Sequence, residues 1–212
     1  MEPTGAAENL QVIRTLMERS ALYRRAMAPV MLAAGLFGMA GWGVGNALGF
    51  TTGGQCIGFW YAVALITIVV ALLIVRRQAL RSDEAFWTPP TKRIVRAMTP
   101  PLVAGFLVEL FGFLPGRDFW EGPPVGLWLL LYGVALHSAG MFISSGVRGL
   151  GWLFIAAFLA LLPAKIYAPL ILENDWFLPN AQMGLTFGLF HLIAAAYLFL
   201  TERRGRANQS AA

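Results

Sequence analysis

The chain has 212 residues, of which 58% are hydrophobic and 13% charged, with a formal net charge of +5 and a mean hydropathy of +0.64. That charged fraction is about half of the ~25% usual in soluble domains, which excludes an ordinary soluble core and favours a chain embedded in a bilayer. The basic residues sit at the ends of apolar runs and form no aromatic-interleaved patch, which excludes nucleic acid as a partner and points to topology signals and anionic lipid.

Met1 to Asn9 is polar. Leu10 to Ala26 then has helical spacing, with Leu10, Ile13, Leu16 and Met17 on one face and Arg14, Glu18 and Arg25 on another. Residues 1–26 are therefore read as a cytoplasmic amphipathic helix, packed on the protein's own loops or offered to lipid or a partner. The first apolar run has no small-residue cleavage site in position and reads as an uncleaved anchor. Cys56 is the only cysteine, so it allows no intrachain disulfide and gives no metal-site spacing.

The first span is predicted over Met27 to Gly49. Gly41, Gly45 and Gly49 recur every four residues, which predicts a flat groove for close approach of another helix. An uncharged loop, Phe50 to Gln55, leads to a second span over Cys56 to Val75. That span opens on an interfacial aromatic belt, Phe59, Trp60 and Tyr61.

Arg76 to Pro101 is the one long polar interruption. It carries Arg76, Arg77, Arg81, Lys92, Arg93 and Arg96 against Asp83 and Glu84. The basic excess assigns the loop 76–97 to the cytoplasm. Thr91 is predicted to cap a short basic helix that ends before Pro100. Thr99-Pro100-Pro101 is predicted to start a short third span, ending near Leu114, because proline suits a first helical turn.

The fourth span is predicted over Val125 to Ser145 and the fifth over Leu150 to Tyr167, perturbed by Pro163. The sixth runs over Ala181 to Leu200 and is followed by the basic tail 201–212. In this layout every arginine except Arg117 falls on one side, as does Lys92, while Asp118, Glu121, Glu173 and Asp175 fall on the other. The asymmetry predicts an all-α membrane protein of six transmembrane helices, 27–200, preceded by the amphipathic helix, with both termini cytoplasmic in a bacterial inner membrane.

Ionisable groups inside apolar spans carry the chemical signal, because lipid solvates them poorly. They are Glu109, His137, Lys165 and His191. Counting from span ends puts Glu109, His137 and His191 in one layer near the midplane, with Lys165 able to snorkel to the outer interface. The two histidines could ligate a haem axially. Glu109 with both histidines could hold a divalent metal, although no His-x-x-x-His or Glu-x-x-His pair is present. Glu109 and a histidine could carry protons through a transporter. The plainest reading gives each group an interhelical hydrogen bond. No cofactor is favoured among these.

IRTLMERSALYR, Ile13 to Arg24, running into a glycine-rich span, resembles the start of a family of small six-span bacterial inner-membrane proteins without assigned activity. MGLTFGLFHLIAAAY, Met183 to Tyr197, resembles its closing segment. The resemblance implies a compact six-helix protein and draws attention to His191. It supplies no catalytic residues. The function expected from the sequence is non-enzymatic: a sensor or accessory component binding a small ligand or protein partner, with self-association open. A proton-coupled transporter and a haem or metal enzyme are the alternatives.

Overall fold

The computed structural model describes residues 26–50, 53–83, 85–112, 125–167 and 179–210. The expected amphipathic helix before residue 26 and the two charged loops around residues 113–124 and 168–178 lie outside the described residues. The described residues form helices joined by short turns, with no strand among them. They are α1 (Ala26–Ala47), α2 (Gly53–Arg81), α3 (Pro89–Gly112), α4 (Val125–Gly140) and α5 (Ser145–Tyr167). A last rod comprises α6 (Pro179–Met183), a π-helical segment (Gly184–Phe190) and α7 (His191–Ser210). Four stretches are long and apolar enough to cross a membrane: Ala26–Ala47, Gly54–Arg81, Ser145–Pro163 and Pro179–Thr201. The protein is an all-helical, membrane-embedded chain. Helices suit that setting because every backbone group in mid-helix is bonded within its own segment.

The turns have identifiable causes. α1 ends at Gly49, which adopts φ +71°. Phe50 N–H donates to Gly45 O at 2.9 Å and Gly49 N–H donates to Asn46 O at 3.1 Å, a Schellman closure. α2 ends where Asp83 enters the left-handed region at φ 50°, a conformation that aspartate tolerates better than most side chains.

The stretch around α3 differs from expectation. No separate basic helix ends before Pro100. α3 begins at Pro89 and runs through Pro100 and Pro101. Thr88, not Thr91, precedes its first turn: the Thr88 carbonyl accepts Lys92 N–H at 3.1 Å, and Pro89 takes the position where a missing N–H costs nothing. Thr91 is buried instead, and its hydroxyl donates to Phe86 O at 3.1 Å. At Pro100 and Pro101 two intrahelical bonds are forgone. The helix nonetheless continues, because the cost of a proline is local while each regular turn on either side adds bonds. α2 likewise carries Arg76, Arg77 and Arg81 on a helix, so the connection to α3 shrinks to residues 82–88. Pro163 also lies within a continuous α5.

The core gathers Leu129 and Leu136 of α4, Val147, Leu150 and Phe154 of α5, Ala28 and Met31 of α1, and Ala195 and Leu198 of α7. α4 and α5 form a close hairpin. A Cβ on Gly151 would lie 2.5 Å from His137 N and 2.7 Å from Gly133 O, so the two backbones touch. α1 crosses the last rod in the same way: a Cβ on Gly38 would lie 2.6 Å from Gly188 N. Close approach of backbones replaces the hydrophobic driving force, which is absent between helices in lipid. By contrast, mid-α2 side chains such as Leu65, Ile68 and Leu72 point outward, and only the helix ends contribute buried residues, among them Trp60 and Ala79.

Candidate functional site

Glu109 lies three residues before the end of α3 and is only 4% exposed. Its Oε2 accepts two hydrogen bonds, one from the Tyr61 hydroxyl of α2 and one from Trp128 Nε1 of α4 at 2.6 Å. One carboxyl therefore joins three helices. Tyr61 stands edge-on to Phe106, with centroids 5.9 Å apart, and to Trp128, at 6.2 Å. Trp128 reaches the carboxyl because α3 and α4 pack closely: a Cβ on Gly105, one turn before Glu109, would lie 3.2 Å from the Trp128 ring.

His191 is 2% exposed and lies where the π-helical segment passes into α7. Its Nδ1 lies 2.7 Å from Phe187 O and its Nε2 lies 2.8 Å from the Tyr132 hydroxyl. A carbonyl oxygen only accepts, so Nδ1 carries the proton, and in the neutral ring Nε2 accepts from Tyr132. The backbone N–H of His191 goes to Gly188 O, so the Phe187 carbonyl is served by the imidazole. Thr186 does the same one register earlier, donating its hydroxyl to Gln182 O at 2.7 Å. Phe154, Phe187 and Tyr132 enclose the ring, with centroids 5.5, 6.4 and 5.6 Å from it.

His137 sits apart from both. Its ring is edge-on to Trp152 at 5.2 Å, and its buried Nδ1 has no hydrogen-bond partner. Lys165 lies within α5, and its side chain is outside the described residues.

The expected common layer is thus replaced by a stagger along α4. Trp128 marks the level of Glu109 and Tyr132 that of His191, four residues or about 6 Å on. His137 follows five residues later, about 7.5 Å further. None of the hydrogen bonds above joins two of the three residues. α3 begins twelve residues before Pro101, and Glu109 lies three residues before its last residue, Gly112. Among the described residues, no three His, Cys, Asp or Glu side chains come together as a metal site.

A second polar cluster has no counterpart in the sequence reading. Asn180, fully buried at the start of α6, accepts from Trp60 Nε1 at 2.8 Å and from Cys56 Sγ at 3.7 Å. Its Nδ2 donates to Asn46 Oδ1 at 3.1 Å and to Phe50 O at 2.9 Å. It ties together the facing ends of α1, α2 and α6. The visible signal was a lone amide at the head of an apolar run. Trp60 and Tyr61, expected as an interfacial belt, serve the two clusters separately, because neighbours on a helix point about 100° apart. Gly41 and Gly45 line the predicted close approach: Cβ atoms there would lie 3.1 Å from the Trp60 ring and 3.0 Å from Asn180 Oδ1. Gly49 does not take part. It lies in the turn beyond α1, with nothing within 4 Å.

Comparison of the chain with protein families, with curated proteins and with solved structures finds no match.

Proposed function

We propose that this chain is a non-enzymatic inner-membrane sensor, a six-span bundle with both termini cytoplasmic, that binds a small ligand at its interior. The carrying observation is the buried Glu109 carboxyl, held at once by Tyr61 of α2 and Trp128 of α4. Gain or loss of charge on that group is felt by three helices, because both donors share one oxygen. Such a junction suits detection better than bond-making. The two ring nitrogens of His191 are also already engaged, as a structural histidine requires.

Hydrogen exchange on the full-length protein in nanodiscs tests this reading. Glu109→Gln removes the ionisable carboxyl and keeps the shape, and it should alter amide exchange in α2 and α4 as well as α3. Changes confined to α3 would refute the sensor role. A second reading, a proton-coupled transporter, is favoured by the stagger of Glu109, His191 and His137 along α4. It predicts acid-driven proton uptake in proteoliposomes that is lost in Glu109→Gln. A haem or metal enzyme predicts a Soret band or bound metal in the purified protein.

A further inference from the structure

We propose that the corner where α4 passes into α5 binds one anionic glycerophospholipid, with Arg148 on its phosphate and Trp152 at the level of its glycerol. The site is separate from the Glu109 junction and does not depend on the sensor reading. Arg148 adjoins Gly140, where an added Cβ would lie 2.5 Å from Arg148 N. Gly140 is twelve residues, or about 18 Å, beyond Trp128 on α4.

One face of α5 carries the pattern. Ser145, Arg148, Gly149, Trp152, Ala156 and Leu159 recur at helical spacing, and all six are exposed. The face changes character along its length. A hydroxyl and a guanidinium stand at the start of the helix, an indole one turn in, and apolar side chains beyond. Leu159 lies eleven residues from Arg148, about 16 Å along the axis. A phospholipid has the same order: charged phosphate, then glycerol and esters at the interface, then hydrocarbon. Ser145–Pro163 is long and apolar enough to cross a membrane, so Arg148 stands at the end of that stretch, at the depth of the headgroups.

Charge and shape select a phosphate at the polar end. An arginine stays protonated at physiological pH, and its planar fork matches two phosphate oxygens. Among the described residues its hydrogen bond runs from Nη1 to Met141 Sδ at 3.7 Å. A thioether is a weak acceptor and occupies one of five donors. Trp152 is backed edge-on by His137 of α4 at 5.2 Å, yet it remains 58% exposed. Indoles favour the level where headgroups meet hydrocarbon. Gly149 leaves a notch beside them, with nothing within 4 Å of where a Cβ would stand. Arg76 and Arg77 on α2 supply the contrast. One turn inward they have Leu72 and Leu73, so they attract anionic lipid by charge alone, with no ring beside them.

The test titrates the full-length protein in detergent micelles with phosphatidylglycerol and counts retained lipid by native mass spectrometry. One lipid should be held more tightly than the rest, and more tightly than phosphatidylcholine. Arg148→Gln should weaken its binding about tenfold or more, the loss of a charge-assisted pair. Arg148→Lys, which keeps the charge without the fork, should recover part of it. Gly149→Leu should weaken binding by filling the notch, whereas Arg77→Gln, the same change in charge elsewhere, should leave that lipid in place. Inorganic phosphate at the lipid's concentration should not displace it. In nanodiscs of the unsubstituted protein, phosphatidylglycerol brominated on its acyl chains should quench tryptophan emission more than brominated phosphatidylcholine at the same mole fraction. That excess should vanish in Trp152→Phe. Equal retention or equal quenching by the two lipids, equal losses from Arg148→Gln and Arg77→Gln, or displacement by inorganic phosphate would each overturn the proposal.

Discussion

Asn180 offers the sharpest test of what holds the described helices together. Asn180→Ala removes four contacts at once, but they differ in what they strand. Asn46 is exposed, so losing the bond strands no buried group there. Cys56 is a weak donor at 3.7 Å. Trp60 is different: the residue is 7% exposed, and its Nε1–H donates to Asn180 at 2.8 Å. Losing the acceptor leaves a buried N–H unsatisfied, worth about 1–3 kcal/mol. Interhelical polar contacts in membranes average about 0.6 kcal/mol, because the unfolded chain in lipid also finds partners. Burial of the whole amide argues for the upper range. The assay is reversible denaturation in mixed micelles as a double-mutant cycle with Trp60→Phe, which removes the donor and keeps a ring. If the Trp60–Asn180 bond carries the effect, Asn180→Ala should cost at least about 1 kcal/mol less in the Trp60→Phe background. Equal costs in both backgrounds would refute the reasoning and assign the loss to packing.

Four further outcomes are expected. Gly151→Ala should destabilise by about 1–3 kcal/mol, because its methyl would meet the α4 backbone, whereas Gly43→Ala, with open space around it, should be neutral or stabilising in the same thermal assay. Gly49→Ala should cost about 1–2 kcal/mol, the penalty for a Cβ in the left-handed region, read by the same melts. Tyr132→Phe should strand Nε2 of the buried His191 and lower stability by about 1–3 kcal/mol, with Phe154→Leu as a packing control. Reporter fusions after Gln55, Gly116 and Asn174 should report the periplasm, and those after Asp83 and Gly205 the cytoplasm. A periplasmic signal after Gly205 would sink the six-span layout.

Apolar runs ended by arginines made the membrane-compatible helices legible, because the cost of leaving backbone groups unbonded in lipid is the same for any sequence. Helix ends were read less well. Pro100 and Pro101 looked like a boundary because proline suits a first turn, yet a turn at Thr88 and Pro89 served that purpose and the helix ran through.

The sequence by itself determined that this chain is helical and membrane-embedded, and that Glu109 and His191 would need partners, since burial in an apolar medium imposes that on any ionisable group. Only the tertiary structure decided who those partners are. Tyr61 and Trp128 meet Glu109, Tyr132 meets His191, and Asn180 gathers Trp60, Cys56, Asn46 and Phe50. These pairings depend on how helices rotate and slide against each other. Those variables are set by backbone contacts at Gly38, Gly133, Gly151 and Gly188, whose partners lie far away in the chain. A glycine's spacing marks which face permits close approach, but the neighbour that arrives is chosen by the shape of the whole assembly.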